Sequence, residues 1–221
     1  MAFPVRDAVG TGADASAGTT STIAIPAPSS GTGAGDIILI HYNASGLSSG
    51  VTKPAAFTQL QTYATSSQLR MYTWWARDDG SLGGTNVTAT KPANAIGAWV
   101  VERWRGCHAS TNPAVGNAAG SYGASADPAT VTPAWGAEDN TWVIVLALKV
   151  NKTVTYPSGY TANRSVKAAT DTQVNSASRE NNASSENPAA FTWSGSTYYG
   201  CWAIGLRPAA PTARNQVIWT G

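Results

Sequence analysis

The chain has 221 residues, of which 12% are charged against 43% hydrophobic, with nine Trp, eight Tyr and a net charge of +2. That length suits one large all-β domain or two small ones, and the apolar content excludes wholesale disorder. The basic residues are scattered, so no phosphate-tracking patch forms and nucleic acid is excluded as the expected partner.

Residues 1–19 carry no clear pattern and read as an N-terminal arm. MAFPVRDAVGTG has no basic region leading into an apolar stretch, so no secretory signal is expected. From there the chain alternates short runs rich in Ile, Val, Thr, Trp and Tyr with Gly, Pro, Asn or Ser. These are the marks of strands separated by turns. The first series is TSTIAIPA (20–27), DIILIHYNA (36–44), FTQLQTYA (57–64), LRMYTWWAR (69–77), TNVTATK (85–91) and GAWVVERW (97–104). Residues 107–128 read as a loop. The second series is ATVTPA (129–134), TWVIVLALKV (141–150), YTANRSV (160–166), TQVNSASRE (172–180), AAFTWSG (189–195) and YYGCWAIGLR (198–207). The longest apolar runs, DIILI and TWVIVLAL, are too short to span a bilayer, and no membrane partner is expected.

The two series correspond in order. Asp36 and Asp139 lie 103 residues apart, and Pro54 and Pro157, Phe57 and Tyr160, and Thr58 and Thr161 keep that offset. WARDD (75–79) matches ASREN (177–181) at 102, and GAWVVERWRG (97–106) matches GCWAIGLRPA (200–209) at 103. An internal duplication follows, with half one over about 20–106 and half two over about 129–208. Two outcomes are open: two separate sandwiches, or one double-sheet sandwich of jelly-roll type. The near-continuous apolar strands 36–44 and 141–150 demand burial on both faces, which favours one domain over 20–208.

Candidate chemistry is sparse. His41 lies mid-strand and reads as a hydrogen-bonded core residue; His108 follows Cys107 with no further Cys or His at metal-ligand spacing. Among the carboxylates, Asp78–Asp79–Gly80 and Glu138–Asp139 read as turn chemistry, and Glu102 as a surface ion pair with Arg103 or Arg105. No nucleophile elbow or phosphate loop appears, and GTGAGD (31–36) precedes a strand rather than a helix. No enzyme, cofactor or metal is therefore expected. Cys107 and Cys201 fall near one another if their strands are antiparallel neighbours, so a disulfide is one reading; synthesis in the cytosol favours two free thiols.

Alternation along LRMYTWWAR sends Trp74 and Trp75 to opposite faces. An offset of 102 pairs Tyr72 with Val174 and turns Tyr72, Trp74 and Ala76 inward; an offset of 103 reverses the assignment. On the first choice Trp75, with Thr73 and Arg77, faces outward as a contact surface. The C-terminal tail, 209–221, ends in the apolar run Val217, Ile218, Trp219, which would dock on a neighbour.

An acidic turn before an apolar strand (GDIILI, EDNTWVIV), a Pro-x-x-aromatic-Thr step, and a closing Trp strand ending RWRG or GLRP recur in both halves. Over about residues 20–208 this pattern resembles β-sandwich proteins encoded among the head and tail genes of tailed bacteriophages. The resemblance implies a jelly-roll-like sandwich without enzymatic activity. It also implies assembly on the exterior of a virion in the host cytoplasm, often as a homotrimer. In that setting the chain would be a capsid decoration (cement) protein or a head- or tail-fibre component, with the major capsid or tail proteins as partners. The rival expectation is a carbohydrate-binding, lectin-like adhesin presenting aromatic rings to a host glycan.

Overall fold

A computed structural model describes residues 2–14, 18–46, 50–65 and 68–211. The described residues form antiparallel sheets packed as a sandwich and no helix. The strands are β1 (Val5–Asp14), β2 (Thr20–Ala24), β3 (Ile37–Ser45), β4 (Thr58–Thr65), β5 (Leu69–Arg77), β6 (Asn86–Thr90) and β7 (Ile96–Arg105). Then come β8 (Ala114–Val115), β9 (Ala119–Ala126), β10 (Glu138–Leu148), β11 (Val154–Thr155), β12 (Thr161–Ala168), β13 (Thr172–Ala183) and β14 (Phe191–Leu206).

The first sheet runs β1-β7-β3-β5-β4, and β2 and β6 form a separate ribbon. The main path of the second sheet runs β11-β14-β10-β13-β12, with β8 and β9 also pairing β14. Each sheet thus comes from one half of the chain, and corresponding strands follow the same order, β7-β3-β5-β4 against β14-β10-β13-β12. The halves do not exchange strands; they stack face to face.

Stacking explains the continuous apolar strands. Every residue of β3 is buried, as are the last nine of β10. One face of the first sheet (Ile38, Ile40, Tyr42, Trp74, Trp99, Val101) packs under the β2–β6 ribbon, which contributes Ile23 and Ala89. Its other face (Ile37, Leu39, Met71, Trp104) meets Val143, Val145, Trp202 and Ile204 of the second sheet. The far face of the second sheet (Trp142, Ile144, Leu146, Phe191) is covered by Val131, Tyr160 and neighbouring loop residues. A sheet covered on both faces has no solvent side to alternate with, so its strands read as unbroken apolar runs.

Several elements depart from the sequence reading. The segment read as an N-terminal arm contains a ten-residue edge strand, β1, paired with β7 from Val5↔Arg105 to Asp14↔Gly97. Its small and polar residues suit a half-exposed edge, which is why it lacks the apolar signature of β3. Part of the 107–128 loop is likewise a strand, β9, held against β14. Residues 129–134 form only an isolated bridge, Val131↔Glu186. The two runs expected at 189–195 and 198–207 are one sixteen-residue strand, β14; the turn-like Gly195, at φ 69°, is absorbed where its register with β9 shifts between Thr192 and Thr197.

The tryptophan pair also resolves. Trp74 is wholly buried, stacked with Tyr42 and Tyr72 at 5.3 and 5.6 Å between centroids. The face opposite is not solvent but the second sheet. Trp75 is half-buried at the margin of the inter-sheet core, and Thr73 is wholly buried, so the expected outward surface of Thr73, Trp75 and Arg77 does not form. Arg77, half-buried, donates to the carbonyls of Gly35 and Thr111. Val217, Ile218 and Trp219 lie outside the described residues.

Candidate functional site: an inter-sheet cleft over a buried charge network

Polar residues on facing strands would be stranded between two sheets unless they found each other, and here they do. Glu102 of β7 is wholly buried, not a surface residue. Its partner is neither Arg103 nor Arg105 but Arg6 of the neighbouring β1, whose Nη1 donates to Oε1 at 2.9 Å. Ser176, across the gap on β13, donates to the same oxygen at 2.8 Å. His41 Nε2 stands 3.5 Å from Oε2, an ion-pair approach longer than a formed hydrogen bond. His41 Nδ1 lies 2.9 Å from Thr73 Oγ1, which accepts the indole N–H of Trp202 at 3.0 Å. These contacts fit a Thr73 hydroxyl donating to Nδ1 and an imidazole N–H at Nε2 turned toward Glu102, with neither Nε2 nor Oε2 in a formed hydrogen bond.

Burial alone would raise the Glu102 carboxyl, but the contacts with His41, the charge of Arg6 and the Ser176 hydroxyl outweigh it and bring the pKa down to about 2. The carboxylate is therefore ionised at neutral pH, with Oε1 accepting from Arg6 and Ser176 and Oε2 buried 3.5 Å from His41 without a hydrogen bond, a poor arrangement for a general acid.

Arg6 also forms part of a cleft of about 400 Å³. Its Nη2 donates to the Ala162 carbonyl at 2.6 Å, and its guanidinium lies 5.9 Å from the Trp104 ring centre. Ala162 has φ 54°, in the left-handed region that a residue with a Cβ rarely adopts, and sits where the β12–β13 register slips between Thr161 and Arg164. The first sheet supplies Val5, Arg6 and Trp104 to this cleft; the second supplies Thr141, Ser178, Arg179 and Glu180. Arg179 is tied back to Glu186, whose other oxygen accepts the Tyr160 hydroxyl at 2.6 Å.

On the other face of the first sheet, one residue before Trp104, Arg103 is also wholly buried; it forks between Asp36 (3.0 Å) and Asp78 (2.8 Å) and donates Nε–H to the Pro26 carbonyl. Asp78 retains the turn role read from sequence, its Oδ1 accepting the backbone N–H groups of Gly80 and Leu82. Glu138 forms a second carboxylate fork, with Arg207. Cys107 and Cys201 are free and buried, and burial pushes both thiols up to about 12. His108 Nδ1 lies 3.0 Å from the Thr111 hydroxyl, and no group of three His, Cys, Asp or Glu among the described residues could hold a metal ion.

The Arg6–Glu102 pairing was hidden in the sequence because its members are 96 residues apart and β1 carries no strand signature. The available signal was negative: an acid inside an otherwise buried strand, GAWVVERW, needs a cation from somewhere.

On the surface, Tyr122 of β9 is 61% exposed and meets Tyr198 of β14 edge to face, centroids 5.0 Å apart. Comparison with protein-family models, curated proteins and solved structures finds no match to this chain.

Proposed function

We propose that this chain is a structural subunit on the exterior of a tailed-bacteriophage particle, either a capsid decoration (cement) protein or a head- or tail-fibre component. It would act through contacts with the major capsid or tail proteins and with its own copies as a homotrimer. The paired motifs of the two halves support the reading, as does a weakly charged surface rich in Ser, Thr and Asn, suited to broad, wet contacts.

One observation carries it furthest. Three edge strands of the sandwich carry devices against pairing: β1 has Arg6 and Asp7 and a register shift, β12 has Arg164 and Lys167, and β4 has a register shift with Gln61 accepting the Thr62 N–H. Strand β9 (AGSYGASA), whose own pairing with β14 also shifts register, is uncharged, is paired among the described strands with β14 alone, and presents the most exposed aromatic ring among the described residues. An uncharged edge bearing an exposed Tyr is the form a subunit contact takes.

Size-exclusion chromatography with light scattering tests this. A trimer is expected at micromolar concentration, with Tyr122→Lys shifting it toward monomer at unchanged melting temperature. A monomer at every concentration, or a trimer indifferent to Tyr122→Lys, would contradict the reading.

A further inference from the structure

Residues 216–220 (QVIWT) of one copy, we infer, add to the outer edge of β9 in the next copy as a further strand. The inference rests on the trimer proposed above and names the segment that β9 receives. A trimer cannot close by β9 meeting β9, because a patch that pairs with its own copy makes a twofold dimer. A threefold ring needs a second, different surface on each subunit. Outside the described strands, only 217–219 places three large apolar residues in succession, Val217, Ile218 and Trp219.

Length and charge fit the two segments to each other. β9 runs in unbroken register with β14 from Ala119↔Cys201 to Gly123↔Thr197, five residues, before the register shifts. Its other edge pairs with no described strand, which leaves the backbone groups along it open to an added strand. QVIWT is also five residues long and, like β9, carries no charge. Successive side chains of a strand alternate in face, so Val217 and Trp219 would share one side. On that side an indole beside Tyr122 extends the edge-to-face pair that Tyr122 makes with Tyr198, and aromatic neighbours across strands reinforce pairing. The edges of β1 and β12 offer the same segment charged side chains instead, Arg6 and Asp7 or Arg164 and Lys167.

Reach places the contact between copies rather than within one. The chain leaves β14 at Leu206 and is pinned by the Pro208 bridge to Cys107 and by the Ala209 N–H on the Gly106 carbonyl at 2.7 Å. Tyr198, opposite Tyr122, lies eight residues back from Leu206 along β14, roughly 26 Å of strand. The eight steps from Pro211 to Trp219 extend to roughly 26–29 Å at most. Doubling back to its own Tyr122 would leave no residues for the reversal, while a neighbour's β9 imposes no such stretch.

Cysteine cross-linking of the whole chain tests this. Chains carrying Ser121→Cys on β9 are mixed, under mild oxidation, with chains carrying Gln216→Cys, Val217→Cys, Ile218→Cys, Trp219→Cys or Thr220→Cys. Cys107 and Cys201 are buried and stay silent. At least one of the five mixtures is expected to give a disulfide-linked pair of the two species. The same five mixed with Arg164→Cys on β12 are expected to give none. Ser121→Cys and the productive tail substitution in one chain should yield linked oligomers. Val217→Lys should raise the concentration for half-assembly by about tenfold or more at unchanged melting temperature. The inference is overturned if no mixture cross-links above the Arg164→Cys level, if the double variant closes within a single chain, or if Val217→Lys assembles as the parent does. A trimer that persists through such a result refutes the tail contact alone; a parent chain monomeric at every concentration refutes the assembly reading and the tail contact with it.

Discussion

Glu102 shows what a single buried charge contributes. Its carboxyl ordinarily titrates near 4.5 and is held down to about 2 in the folded chain, with His41, Arg6 and Ser176 overcoming the cost of burial. The unfolded chain therefore takes up this proton first as acid is added. Stability from the network is complete above about pH 4.5 and drains away between there and about pH 2, by a few kcal/mol. Urea titrations from pH 7 down to 2 should show that decline, and Glu102→Gln should flatten it while lowering stability at pH 7, since Arg6 loses its counter-charge. An identical pH slope in Glu102→Gln would mean other carboxylates carry the acid lability. At this scale the sequence was only half legible. Alternation separated Trp74 from Trp75, and only the choice of a 102-residue offset over 103 turned Trp74 inward, yet nothing local could show that the face beyond Trp75 belongs to a second sheet. Thr73 shows the consequence: a polar residue in a plausible outward position is buried, bonded to His41 and the Trp202 indole.

At the scale of the element, β1 does more than edge strands usually do. It closes the first sheet beyond β7, brings Arg6 to Glu102, and follows directly on Pro4, whose carbonyl accepts the Thr141 hydroxyl of the second sheet at 2.7 Å. Deleting residues 2–14 should expose the β7 edge and leave Glu102 buried beside an empty position, a loss of about 3–5 kcal/mol from the broken pair alone. Thermal melting and chromatography of the truncated chain would show a markedly lower transition and aggregation; an unchanged melting temperature would show that β1 is an appendage. Strands with strong apolar signatures, β3, β7 and β10, were plain in the sequence because their burial is written in their residue types. β1 and β9 were not, since an edge strand of Ala, Gly, Ser and Thr has the composition of a loop. Only the partner strand distinguishes the two.

At the scale of the whole molecule, the described residues form two main sheets of matching strand order pressed together through one shared core, with the β2–β6 ribbon over the first, and neither half could cover its apolar inner face alone. That core follows from the apolar runs at 36–44 and 141–150, and the matched offsets near 103 made the parallel order of the halves legible. Where the cleft falls was not legible, because it depends on how the sheets sit against each other, and no motif encodes that. With both faces of both sheets largely covered, contacts with other molecules are left to the edges, the loops and the cleft. The proposed role as a virion subunit rests on this distribution together with the resemblance of the repeated motifs. Quantitative mass spectrometry of purified particles of the phage encoding the chain tests it most directly. The account predicts the chain in washed particles at a fixed stoichiometry to the major capsid protein, in multiples of three copies. Its recovery only in the soluble lysate, with none retained on particles, would contradict it.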